Sequence, residues 1–201
     1  MDAFPKILRG NMNNISKIAL ERLKDGNNNF VQKKLSKPNQ APLTRASLID
    51  GQDPFAVILT CADSRVVPEL IFDTGLGELF VVRVAGNIAN HSSIASIEYA
   101  VAHLNVGLIV VLGHQNCGAV TAAAKGDGGS DHLDHLLSHI KPAITKSNGD
   151  AIDGIAIENA RLTADKLNSD SKIIADAISA GDIKIKPAFY SLETGKVDFL
   201  D

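Results

Sequence analysis

"GLIVVLGHQNCGAV", residues 107–120, passes from an aliphatic run into a polar turn and then into small, helix-compatible residues. A continuous β-branched run without polar alternation suits a strand buried on both faces, as strands of parallel sheets are. Two other runs share this character, "FAVILT" (55–60) and "LFVVRVA" (79–85). Between the second and third lies "SSIASIEYAVAHL" (92–104). Its Ile94, Ile97, Val101 and Leu104 fall on one helical face, with Ser92 or Ser93 as the expected N-cap. Segments 131–146, 155–168 and 171–180 read as helices, and "IKIKPAFYSL" with "KVDFL" as a closing hairpin around "ETG". The alternation predicts an α/β fold built on a mainly parallel central sheet with flanking helices.

Composition narrows the function. The chain has 201 residues, 45% of them hydrophobic, a size and apolar content that predict one domain spanning 1–201. A net charge of −3, with 20 Lys and Arg scattered along the chain, argues against a nucleic-acid partner. No apolar run approaches the ~20 residues that span a bilayer, and "MDAFPKILRGNMNNISK" lacks the apolar core of a signal peptide, so a cytoplasmic protein without a membrane partner is expected. Near the N-terminus, "ISKIALERLK" (15–24) suits an amphipathic helix with Ile15, Ile18, Leu20 and Leu23 apolar. The polar "KDGNNN" (24–29) and "SKPNQAP" (36–42) read as the segments that set this helix apart from the rest.

Ligands of open α/β sheets bind beyond the carboxyl ends of the strands, where strand order reverses. The first run leads directly into Cys61, Asp63 and Arg65, and the third into His114 and Cys117. If the first and third strands are neighbours, with the second on the far side of the first, Cys61, His114 and Cys117 converge there. Two thiolates and an imidazole form a zinc set that leaves a fourth position for water. Taken singly, each has a plainer reading: a buried core thiol, or a hydrogen-bonded histidine. His132, His135 and His139 also recur at helical spacing, but beside Asp131, Asp134 and Ser138, which predicts a solvated stripe.

"CADSR", "LFVVRVAGN", "SIEYAV" and "VVLGHQNCGAV", in this order and spacing, closely resemble the β-class carbonic anhydrases. The resemblance runs from about Gly51 to Val120 and implies reversible hydration of carbon dioxide to bicarbonate and a proton. It implies one Zn²⁺ per chain on Cys61, His114 and Cys117, with zinc-bound hydroxide assisted by an Asp63–Arg65 dyad. Gln52, Phe80 and Tyr99 would contact substrate, with Val66 and Ala85 as apolar wall. The implied architecture has a zinc-site core at 51–125, an antiparallel edge strand and an N-terminal helical arm at 1–40. That arm would embrace a partner subunit in a dimer or a dimer-built tetramer. Some bacterial members hold inhibitory bicarbonate in a second pocket made by a tryptophan, an arginine and a tyrosine. This chain has no tryptophan, and Ile58 stands at the matching position, with Arg83 and Tyr190 as counterparts of the other two. Carbon disulfide or carbonyl sulfide as substrate, and a zinc or redox sensor without catalysis, are the alternative readings.

Overall fold

The three aliphatic runs form β1 (Ala56–Thr60), β2 (Leu79–Arg83) and β3 (Leu108–His114), and the C-terminal hairpin forms β4 (Lys184–Tyr190) and β5 (Val197–Phe199). The computed structural model describes residues 12–36, 38–39, 41–147 and 151–201. The five strands lie in the order β2-β1-β3-β4-β5, parallel except for the antiparallel β4–β5 pair. Strand order therefore reverses at β1, with β2 on one side and β3 on the other. Both β1 and β3 are buried along their whole length. Their odd and even residues feed two different cores, Ile58, Val110 and Leu112 on one face and Val57, Leu59, Ile109 and Val111 on the other. The two-residue period is present but hidden, because both faces are apolar. Each fully buried aliphatic side chain contributes roughly 1.5–3 kcal/mol.

The helices are α1 (Met12–Val31), α2 (Pro42–Ser47), α3 (Pro68–Ile71), α4 (His91–His103), α5 (Gly118–Lys125), α6 (Asp131–Ser138), α7 (Lys141–Lys146), α8 (Ile152–Asp170) and α9 (Lys172–Ser179). The helix expected over 131–146 is two, with Pro142 in the first turn of α7, where its missing N–H costs least. The N-cap of α4 is Asn90 rather than a serine, and Ser93 completes the reciprocal pair by accepting from the Asn90 N–H. None of the described helices is long and apolar enough to cross a membrane.

The expected face of α1 holds at Leu23, which is fully buried, and at Leu20, which packs against the same core, and needs correction at Ile15 and Ile18. Ile15 and Ile18 are 43% and 54% exposed, and the buried stripe is Ser16, Ala19, Leu23 and Asn27. Close approach selects the small and polar members of this stripe. Ser16 Oγ donates to the Gly107 carbonyl at 2.7 Å, and a Cβ on Gly26 would lie 1.9 Å from the Phe72 carbonyl oxygen. "KDGNNN" is accordingly the C-terminal part of α1 and not a separator. Asn27 Nδ2 donates to the Gly195 and Ile71 carbonyls at 2.9 and 3.3 Å, while its Oδ1 accepts the Val197 N–H at 2.8 Å. The helix thus docks on its own chain, against β5 and the end of α3. The first eleven residues of the expected arm lie outside the described residues.

Candidate metal centre

Each potential ligand stands where its strand ends. Cys61 follows the last residue of β1, His114 is the last residue of β3, and Cys117 is the N-cap of α5. The left-handed Asn116, at φ 51°, turns the chain between His114 and Cys117. One donor atom from each of Cys61, His114 and Cys117 lies within 4.8 Å of the other two, and all three residues are buried. Among the described residues, no other group of three or more His, Cys, Asp or Glu side chains is so arranged. His135 and His139 do meet edge to face at 5.1 Å between ring centres, but they supply only two donors. His132 and His135 are exposed as expected, whereas His139 is half-buried and its Nε2 is shielded without a partner.

The tautomer of His114 follows from its surroundings. Nδ1 lies 2.9 Å from the Gln115 carbonyl oxygen, which can only accept, so Nδ1 carries the proton and donates. Nε2 is then a bare lone pair, buried and without a hydrogen-bond partner. Such an atom is costly in a protein interior unless something electron-poor meets it. The thiols have the same bias. The Cys117 side chain beside Cys61 holds the Cys61 thiol down, and the Gly86 N–H acts in the same direction. Cys61 and burial together push the Cys117 thiol up. The soft donors and the orphaned nitrogen fit a thiophilic divalent cation.

Asp63 and Arg65 sit at the rim. Asp63 Oδ1 accepts the backbone N–H and Nε–H of Arg65, both at 2.9 Å, and Oδ2 accepts Nη2 at 2.7 Å. The guanidinium holds the Asp63 carboxyl far below the usual carboxylate range. Arg65 Nη2 also donates to the Asn116 carbonyl at 3.3 Å, and Asp153 at the start of α8 accepts the Asn116 N–H at 2.8 Å. Arg83 donates to the carbonyls of Cys61 and Asp63 at 3.2 and 2.6 Å. The Asp63 carboxylate is left 4.0 Å from His114 Nε2, near the cluster yet held by Arg65.

Comparison with known proteins agrees with this geometry. The family profile described as carbonic anhydrase matches residues 56–197. "Carbonic anhydrase 2" of Mycobacterium tuberculosis is 40% identical over 190 residues, covering 91% of this chain and 92% of that one. The carbonic anhydrase of Mycolicibacterium smegmatis is 39% identical over 187 residues, covering 90% and 91%. Among solved structures, the β-carbonic anhydrase CcaA superposes with a TM-score of 0.74 at 28% identity, covering 90% of this chain and 95% of that chain. The tetrameric β-carbonic anhydrases of Sordaria macrospora give 0.71 at 28%, covering 93% and 97%.

The chain belongs to the β-carbonic anhydrase family.

This carbonic anhydrase does not bring all the expected site residues together within one chain. Phe80 pairs in register with Val57, near the amino end of β1, while Cys61 lies beyond the other end. Four residues at about 3.3 Å each put them about 13 Å apart along the strand direction. Tyr99 is half-exposed on α4, its ring 6.4 Å from that of Phe80. Gln52 lines a cleft of about 910 Å³ with Tyr99 and His103, together with Leu48, Ile49 and Leu76. These three residues therefore gather at the opposite end of the sheet from the cluster. Of the proposed apolar wall, Val66 is fully buried and Ala85 begins a 3₁₀ turn at Ala85–Asn87. Sequence reasoning missed Asp153 and the Gly86 N–H, which donates to Cys61 Sγ at 3.3 Å. Only the glycine of "VAGN" hinted at the second, since a backbone donor leaves no other mark in a sequence.

Proposed function

We propose that this carbonic anhydrase binds one zinc ion through Cys61, His114 and Cys117 and there interconverts carbon dioxide and bicarbonate. The observation that carries the reading is the buried His114, its Nε2 unpartnered, with a ring nitrogen within 4.8 Å of two sulfurs. Two thiolates and a neutral imidazole would match the charge of a dication, and a set of three protein ligands would leave the ion open to solvent. When bound, zinc supplies the Lewis acidity that makes water a nucleophile near neutral pH. Everything else falls to the chain. Asp63, an acceptor only while ionised, takes a proton-side hydrogen bond from the attacking water and so turns a lone pair toward carbon dioxide. Arg65 grips both carboxylate oxygens, which keeps Asp63 charged and restrains it from becoming a ligand itself.

The substrate side is built by a second copy of the chain. Gln52, Phe80 and Tyr99 lie away from their own cluster, but the cleft lined by Gln52 and Tyr99, with Phe80 beside Tyr99, exposes Ile49 (79%), Leu76 (49%) and Tyr99 (50%), an apolar surface suited to burial between copies. There Gln52 donates to a developing bicarbonate oxygen, Phe80 gives uncharged carbon dioxide an apolar niche, and Tyr99 closes the rim. The deciding experiment is stopped-flow carbon dioxide hydration with a pH indicator, on protein of measured zinc content. Stoichiometric zinc and full turnover in Cys117→Ser would defeat the assignment.

A further inference from the structure

The 3₁₀ turn at Ala85–Asn87 has an unusual backbone. Gly86 has φ 71° and the adjacent Asn87 φ 45°, so two successive residues are left-handed and one of them carries a side chain. Such a turn persists only where its surroundings hold it. The holding is visible: Asn159, 1% exposed in the middle of α8, donates through Nδ2 to the Gly86 carbonyl at 2.8 Å. Asparagine is a poor residue for a helix interior and costly to bury, so a specific bond is what its place there calls for. The helix around it is itself fixed. A Cβ on Gly113 of β3 would come within 3.0 Å of the Ala156 carbonyl oxygen and 3.5 Å of Ala160 Cβ, so α8 is seated directly on the strand that ends in His114. From the other side the turn is walled by Ile140 and Ala119, whose atoms would meet a Gly86 Cβ at 2.7 and 3.3 Å. So confined, the Gly86 N–H points at Cys61 Sγ.

We infer that Asn159 is a positioning residue of the metal centre, clamping the Gly86 turn so that its N–H stays on the Cys61 sulfur. The inference rests on the metal-binding reading above. A hydrogen bond to a ligating thiolate draws charge from sulfur, so the metal receives less and remains a stronger Lewis acid, and it fixes the direction of the sulfur lone pairs. Asn159 touches neither metal nor substrate and acts wholly through Gly86.

The test uses the full-length protein with cobalt in place of zinc, because thiolate-to-cobalt charge transfer reports on the sulfur itself. In Asn159→Leu, which keeps bulk and removes the donor, the band is expected to move to longer wavelength. Affinity for the metal, measured by chelator competition, is expected to fall about 10-fold, the low end for loss of a group that orients a ligand. Thr163→Ser, a buried change one turn along α8, should leave the band in place. If the leucine variant does not fold, Asn159→Ala is read in the same way. A folded Asn159 variant with the wild-type band and affinity overturns the role of Asn159 and leaves the metal centre intact. A wild-type protein with no thiolate-to-cobalt band overturns the metal reading, and this inference with it.

Discussion

Asp63 is gripped through both carboxylate oxygens by Arg65, two residues along the chain. Its folded-state pKa is lowered from 3.8, chiefly by the Arg65 side chain. The sign follows from linkage: the stabilisation is complete above the unfolded value and is lost as pH falls through the folded one. The stability difference between wild type and Asp63→Asn, from urea melts, should therefore be flat between about pH 5 and 8 and shrink only below about pH 4. Any rise of the hydration rate from neutral to alkaline pH belongs to another group. Asp63→Asn and Arg65→Ala should each lower kcat about 100-fold with the fold retained, as for loss of a positioned proton acceptor. Wild-type turnover in both would make the pair structural. The bicarbonate response also turns on single residues. Ile58 is fully buried and carries no donor, and two of the five guanidinium N–H groups of Arg83 are already held by the carbonyls of Cys61 and Asp63, so Arg83 alone is left to meet an anion and should bind it poorly. Bicarbonate inhibition should be hyperbolic in steady-state kinetics, and a sigmoidal curve would contradict this. At this scale the sequence was legible where a side chain acts beside its neighbours, as with Asp63 and Arg65. It was silent where the partner is a backbone N–H, or lies 73 residues away as Asn159 does from Gly86.

At the scale of elements, the strands could be read because both faces of β1 and β3 are buried, which leaves an unbroken aliphatic signal. The antiparallel hairpin of β4 and β5 was equally legible, since the Gly195 turn, at φ 75°, sits between two short apolar segments. The helix α1 was misread for a physical reason. Gly26 and Asn27 look like residues that end a helix, yet each is there for close docking: one leaves room for the Phe72 carbonyl, the other satisfies three backbone groups. Intrinsic propensity lost to tertiary contact. Gly26→Ala should accordingly destabilise the protein, although alanine favours the helix itself. The helix gain is up to about 1 kcal/mol, whereas overpacking costs about 1–3 kcal/mol, and here the obstacle is rigid backbone. Asn27→Leu, which leaves those groups unpaired, should cost about 2–4 kcal/mol. Chemical denaturation reads both, and an unchanged or raised midpoint for Gly26→Ala would show that α1 does not pack this closely in solution.

For the whole molecule, the separation of Gln52, Phe80 and Tyr99 from the metal cluster has a consequence that one chain cannot display. If a second copy completes the site, lesions in the two halves fall in different sites when two variants meet in one oligomer. Consider Cys117→Ser, which damages the cluster, and a Gln52→Ala/Tyr99→Ala double variant, which damages the substrate side. Each homo-oligomer should be nearly inactive. In a mixed dimer one site receives both lesions, while the other combines an intact cluster with an intact Gln52 and Tyr99. Random pairing of equal amounts makes half the dimers mixed, so roughly a quarter of all sites should be restored. Co-expression with two different affinity tags isolates the mixed species, and its activity per zinc can be compared with that of each parent. If all the residues served their own chain, every site in the mixture would carry one lesion and nothing would be regained. Recovery of activity that disappears on dilution to monomers supports the shared site. An isolated mixed dimer no more active than its parents would overturn the shared site.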